Sequence, residues 1–244
     1  MANGKKKGGF FSNLIGILLA VLAALLLRSV LIEPYNIPSS SMVPTLLIGD
    51  YLFISKYPYG YSKHSFPFSI PIIPNGRIFE GRPESGDVVI FKVPTDNKTD
   101  YIKRVIGLPG DTIQMKAGRL YINNIIVERE ELSKEEFVTE SGLNRYTKYM
   151  ETLPGGKKHL IYEISDTKQT DDTLPVLVPA GHYFMMGDNR DNSMDSRFFG
   201  TVPAENLEGR GEIIFYSNNG KGAFWEIWKW PESLRLERFF TRIK

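Results

Sequence analysis

The sequence predicts a mainly β protein, of barrel or sandwich character, behind one long apolar helix. Three observations carry that expectation. An uncharged run occupies residues 10–27, broken only by Ser12 and Asn13 among its apolar positions. Short stretches rich in β-branched and aromatic residues, bounded by Gly, Pro, Asn and Asp, recur through the remainder. A chain of 244 residues, 42% hydrophobic and 24% charged, is long and apolar enough for one substantial core with a smaller appendage.

In chain order, Lys5, Lys6 and Lys7 precede the apolar run, and Arg28 interrupts it before Val30, Leu31 and Ile32. Residues 10–32, at about 1.5 Å each, match a hydrocarbon thickness of roughly 30 Å. Three lysines on one flank against one arginine on the other favour a cytoplasmic residue 1–9 segment. A cleaved leader is the alternative, with Val21 and Ala23 as a weak processing signal. Either way, the chain after Glu33-Pro34 lies on the exported side. Strands are expected at residues 51–55, 87–91, 101–106, 112–115, 120–127, 159–164, 183–186 and 212–217. Asn123-Asn124 reads as a hairpin turn, and Leu108-Pro109-Gly110-Asp111 as a type II turn. Residues 57–85, loaded with Pro, Gly, Ser and aromatics, suggest a long loop or an extended hairpin. Residues 128–173 are polar around a single good strand and suggest a variable subdomain. The tail, 224–244, carries Trp225, Trp228 and Trp230 followed by Arg235, Arg238, Arg242 and Lys244. That composition fits a membrane-surface contact, or else an ordinary terminal helix packed on the core.

Composition also excludes. A formal net charge of +2 without a concentrated basic face argues against nucleic-acid binding. With no cysteine there is no disulfide, thiolate nucleophile or cysteine zinc site. His64, His159 and His182 are far apart and in no metal-binding spacing, which disfavours a metal site and a Ser-His-Asp triad. No cofactor is expected.

Chemistry concentrates in three segments. Ser39, Ser40 and Ser41, between Pro38 and Pro44, could be a plain linker, but they feed straight into a strand. In the segment YIKRVI (101–106), alternation places Lys103 with Tyr101 and Val105, and Arg104 with Ile102 and Ile106. One of the two charges must therefore face an apolar side. It is either an edge-strand charge that blocks aggregation or a lysine desolvated enough to be neutral near pH 7. A neutral lysine can take a proton from a serine hydroxyl. The third segment, GDNRDNSMDSR (187–197), suggests a tight loop held by side-chain-to-backbone hydrogen bonds. It fails the EF-hand pattern, so calcium is the weaker reading.

Together these segments resemble bacterial type I signal peptidases (leader peptidases), serine proteases with a Ser/Lys dyad. The resemblance rests on residues 39–50, with Ser41-Met42 and Pro44-Thr45, on 86–91, on YIKRVIGLPGD (101–111) and on GDNRDNSMDSR (187–197), in the family's order behind an anchor. It implies Ser41 as nucleophile, Lys103 as general base and Ser39 as a side-chain oxyanion donor. It further implies Ser193 bonded to the lysine, Asp195 and Arg197 as the pair supporting that loop, and Tyr101 flanking the lysine. Tyr35, Ile37, Leu46 and Ile102 would line shallow pockets for small residues at positions −1 and −3 of an extended substrate. Ser40 stands where glycine is frequent. The implied fold is an antiparallel barrel-like catalytic core, 33–111 and 181–223, with a β-rich inserted subdomain at 112–180, after an anchor at 10–32. The implied partners are exported preproteins and the lipid bilayer. The implied location is the bacterial inner membrane, single-pass, with the catalytic part outside the cytoplasm. Two rivals stand beside this: a self-cleaving repressor-like protease, which would lack the anchor, and a non-catalytic membrane-tethered adaptor.

Overall fold

The protein is described here from a computed structural model, which covers residues 10–66, 69–70, 73–139, 142–220 and 226–244. Helix α1 (Phe10–Val30) leads into β1 (Ile32–Asn36), β2 (Asp50–Ser55), β3 (Val88–Lys92) and β4 (Asp100–Gly107). Next come β5 (Thr112–Lys116), β6 (Arg119–Ile122), β7 (Ile125–Ile126), β8 (Glu128–Thr139), β9 (Gly142–Thr152) and β10 (Lys158–Glu163). The chain continues through β11 (Val176–Leu177), β12 (His182–Met186), α2 (Ser196–Phe199), β13 (Val202–Pro203) and β14 (Leu207–Ser217), and closes with α3 (Trp230–Ser233) and β15 (Thr241–Arg242). All the strand pairs are antiparallel. The main sheet runs β1-β2-β14-β3-β4-β12-β13, with β15 also on β14.

Strand β14 bends this sheet. Its residues 207–210 pair with β3 and 210–217 with β2, and the register slips at three places along it. Such bulges add twist and turn a strand toward a second partner. Gly209 sits at one of them, where a Cβ would stand only 2.6 Å from the Ser55 carbonyl oxygen. Both faces of the sheet are covered, which is why β3 reads as a continuous apolar run. Val88 and Ile90 join a cluster with Ile37, Met42, Leu46, Leu52, Ile54, Ile102 and Ile214, and Val89 and Phe91 join one with Tyr59, Val105, Tyr183 and Met185.

The residues between β4 and β12 form two small sheets, β11-β5-β6-β7 and β10-β9-β8. The first is not a separate body. Ile113, Met115, Leu120 and Ile122 share one apolar cluster with Ile106 of β4 and with Phe184 and Met186 of β12. The Asn123-Asn124 turn has both φ angles positive, 54° and 63°, the geometry of a tight hairpin. At the other turn the Asp111 N–H donates to the Leu108 carbonyl at 2.9 Å, with Gly110 at φ 95°.

Several expectations need correction. The helix stops at Val30, so Ile32 is not its end but the start of β1, with Pro34 tolerated on an edge strand. Apart from these corrections, no helix among the described residues is long and apolar enough to cross a membrane. The stretch expected to hold one strand holds the long β8–β9 hairpin as well as β10. Residues 120–127 are a hairpin rather than one strand. Residues 57–85 are the long loop rather than the extended hairpin: the described ones are largely irregular, with one antiparallel bridge between Tyr61 and Ile78, and 67–68 and 71–72 lie outside the described residues. The tail forms no long helix. It folds back in short turns, and Arg242 and Thr241 pair with Ile213 and Ile214 of β14. Trp225 lies outside the described residues.

The shared cluster makes the insert and core one cooperative unit. Leu120→Ala should therefore destabilise the whole catalytic body by about 2–5 kcal/mol. In denaturant the variant should lose near-UV signal in a single transition. Two separated transitions would show that the 112–180 region folds on its own.

Candidate active site

Strand β4 supplies both charges of its Lys-Arg pair to the interior: Lys103 is 3% exposed and Arg104 0%. Of the two alternatives, the edge-strand charge fails, since β4 lies between β3 and β12 and each side chain meets a different buried partner. Arg104 forks onto Asp188, with Nε 2.8 Å from Oδ1 and Nη2 2.7 Å from Oδ2. Its Nη1 donates to the Gly86 and Lys244 carbonyls at 2.7 and 3.0 Å. Burial alone would raise the Asp188 carboxyl, but the facing guanidinium holds it below the usual range. Thr45 also donates to Asp188, and the Tyr162 N–H donates to its carbonyl at 2.9 Å.

The serine segment is stapled to the same loop. The Asn189 N–H donates to the Ser41 carbonyl at 3.1 Å, and Asn189 Nδ2 donates to the Ser40 carbonyl at 3.1 Å. Asn192 Nδ2 reaches Ser40 Oγ at 2.9 Å. The approach is close enough that Gly187 is required: a Cβ there would overlap Ser193 Oγ and stand 2.5 Å from the Ser41 carbonyl oxygen. Within the loop, Asp191 accepts from the N–H groups of Ile164 and Ser165 at 2.7 and 3.0 Å. Asp195 accepts from the Gly187 N–H at 3.0 Å and from Arg197 Nε at 2.9 Å. Arg190 reaches across to Glu151 of β9 at 2.9 Å, tying the loop to the long hairpin's sheet. Burial works against the Glu151 carboxylate, yet Arg190 brings it down to about 2.

Lys103 Nζ and Ser41 Oγ are 2.7 Å apart, both buried, and Nζ also donates to the Ile102 carbonyl at 2.9 Å. Ser39 Oγ is 3.4 Å from Ser41 Oγ. The ring centroid of Tyr101 lies 5.0 Å from Nζ. Burial lowers the Lys103 pKa from 10.5 to about 8, against the opposing pull of Asp195 and Asp188. Those two carboxylates are each engaged by an arginine, Arg197 and Arg104, so desolvation wins. Above these groups opens a groove of about 520 Å³ whose walls include Tyr35, Ile37, Ser39, Ile90, Ile102 and Lys103.

Two expected residues stand elsewhere. Leu46 is not among the groove walls; it is fully buried in the apolar cluster that holds Ile37 and Ile102. Ser193, buried beside Asp195, makes no hydrogen bond to Lys103. Sequence reading missed the Arg104–Asp188 pair and Asn189. The signal was present, since a buried arginine demands a buried carboxylate, and 188–195 holds three aspartates. His64 and His159 are both buried and shifted down by desolvation, His64 to about 4. Among the described residues no group of three or more His, Asp or Glu side chains is placed to hold a metal.

Asp188→Asn leaves Arg104 buried without its counter-charge and should lower stability by about 3–5 kcal/mol in urea denaturation. Glu136→Gln removes an exposed pair with Arg145 and should change stability by under about 1 kcal/mol. Equal effects of the two would show that the buried pair is not the structural tie.

The chain resembles known proteins along nearly its whole length. The model of the family described as "Signal peptidase, peptidase S26" matches residues 11–216. A curated signal peptidase I of Rickettsia conorii is 39% identical, covering 98% of this chain and 93% of that protein. The one of Rickettsia canadensis is 42% identical, covering 91% and 89%. A crystal structure of a signal peptidase I from Enterococcus faecalis is 30% identical and covers 53% of this chain and 96% of its own, with a TM-score of 0.33. A buried serine–lysine contact in a match of this extent places the chain among the signal peptidases of family S26, which are serine endopeptidases.

Proposed function

We propose that this protein removes amino-terminal signal peptides from exported preproteins, with Ser41 as nucleophile and Lys103 as general base. The observation that carries this reading is the 2.7 Å contact between Lys103 Nζ and Ser41 Oγ in a desolvated pocket opening on a groove. The neutral amine accepts the Ser41 proton as Oγ attacks the scissile carbonyl. The Ser41 N–H and the Ser39 hydroxyl receive the oxyanion, where a lost donor typically slows catalysis about 10²–10³-fold. Lys103 then protonates the leaving amine, and it serves again as base when water cleaves the acyl-enzyme.

The substrate lies extended in the groove, so its −1 and −3 side chains share one face. Ile37, Ile102 and Tyr35 form the walls they meet, and Leu46 acts from beneath by backing Ile37 and Ile102. Ser193 fills the space beside Gly187 and holds the loop that Asp195 and Arg197 brace, with Tyr101 covering the lysine. The apolar sequence 10–32 is the proposed membrane anchor: the described part of α1 alone does not make a span, but it exposes Leu14, Ile17, Leu18 and Leu22, and the lysines at 5–7 put the amino terminus in the cytoplasm. Exposed Ile227, Trp228, Leu236 and Phe240 in the tail would rest on the same bilayer. The anchor raises the local concentration of substrate at the groove.

The reading is tested by incubating a model preprotein with wild type, Ser41→Ala and Lys103→Ala in detergent and weighing the products by mass spectrometry. One cut after a small residue, lost in both variants, is expected; a cut that survives in either variant would remove the dyad. The pH profile is a second test. Lys103 is protonated below about 8, so kcat/KM should fall about tenfold per pH unit below that value and level off above it. A flat profile between pH 6 and 9 contradicts a lysine base.

A further inference from the structure

Tyr35, six residues before Ser41, forms part of the groove wall. Behind this side chain lies a second, smaller cavity of about 130 Å³, with polar walls that include Lys56, His64, Lys92 and Glu208. Tyr35 and Asp100 belong to the walls of both cavities, so Tyr35 stands between them. Its ring is held there by the hydroxyl, which is 2.6 Å from Glu208 Oε2 and 2.9 Å from Asp100 Oδ2. Lys92 pairs with both carboxylates, lying 3.2 Å from Glu208 and bonding Asp100 as well. The four groups come from β1, β3, β4 and β14, so the ring position is tied to four strands of the main sheet. Burial and the two neighbouring acids keep the Tyr35 hydroxyl protonated, and thus always able to donate.

Tyr35 lies on the same strand face as Ile37, two residues nearer to Ser41. An extended substrate with its cut bond at Ser41 has its −3 side chain about 6–7 Å further along the groove than −1, toward this wall. A phenol without its tether could swing toward the cavity behind it, which has room for about four waters at roughly 30 Å³ each. The upstream pocket would then deepen.

Resting on the proposed function, we infer that Tyr35 is a partition closing the −3 pocket, and that Glu208, with Asp100, is the latch that keeps the pocket shallow. Glu208 is 4% exposed, lines only the rear cavity and touches no substrate, so it is a positioning residue acting through Tyr35.

The test compares preproteins carrying Ala or Leu at −3, cut by wild type, Tyr35→Phe, Glu208→Ala and Glu208→Gln. Both Tyr35→Phe and Glu208→Ala should raise the absolute kcat/KM for the Leu substrate by about tenfold, mainly through KM, the size expected when a pocket gains room for a larger apolar group. Glu208→Gln keeps an acceptor at the same place and should retain the wild-type ratio of Leu to Ala cleavage. A merely structural role would lower both substrates and could not raise one. If wild type cuts the Ala substrate and neither Tyr35→Phe nor Glu208→Ala improves on Leu, the latch is overturned. If wild type cuts neither substrate, the proposed function falls and takes the inference with it.

Discussion

The Arg104–Asp188 pair is the constraint on which the rest of the site depends. Two charges removed wholly from water carry a desolvation penalty of several kcal/mol each, and their mutual attraction does little more than offset it. Its value is positional. Arg104 follows Lys103 directly on β4, Asp188 opens the loop that reaches Ser193, and Thr45 bonds Asp188 from four residues beyond Ser41. Any displacement of one segment relative to another would break bidentate hydrogen bonds in a place where no water can replace them. Lys103 Nζ and Ser41 Oγ are thus held at 2.7 Å by a bond in which neither takes part.

The electrostatics of Lys103 follow from the same economy of pairing. A lysine this close to two carboxylates would ordinarily keep its proton. Here Asp188 and Asp195 are each paired with a guanidinium, at 2.7 and 2.8 Å. Each arginine cancels most of its partner's field, leaving burial as the largest influence on Nζ. Asp195 and Arg197 therefore do two things at once: they fix the loop through the Gly187 N–H and the Arg190 carbonyl, and they keep a negative charge near Lys103 without letting it act at full strength.

Legibility in the sequence followed burial pattern. Strands with one or two apolar faces, β2, β3, β4, β12 and β14, were readable because alternation or a continuous apolar run encodes which face is buried. The two turns were readable because only certain residues tolerate their φ angles. Strand β1 was hidden by Pro34, which an edge position tolerates. Within the site, Ser41 and Lys103 were legible from their settings and from the resemblance. Leu46 as a wall and Ser193 as the lysine's partner were not placed where expected, since which atoms line a groove depends on side-chain direction that no motif records. The Tyr35–Glu208 contact joins residues 173 apart, beyond the reach of any local pattern.

The depressed pKa and the open groove make opposing demands. A neutral lysine needs a dry setting, whereas a groove that admits a polypeptide admits water. The structure meets both by leaving Lys103 only 3% exposed among the groove walls, beside the apolar Ile37, Ile90 and Ile102. In the proposed function an extended substrate laid over those walls displaces the remaining water, and its own backbone brings no charge. Occupying the groove must therefore push the Lys103 amine further toward its neutral form, because the penalty on the ammonium grows as solvent leaves. With Lys103 as the proposed base, its deprotonation is completed by the substrate, which confines strong activation of Ser41 to the moment when a peptide bond lies against it.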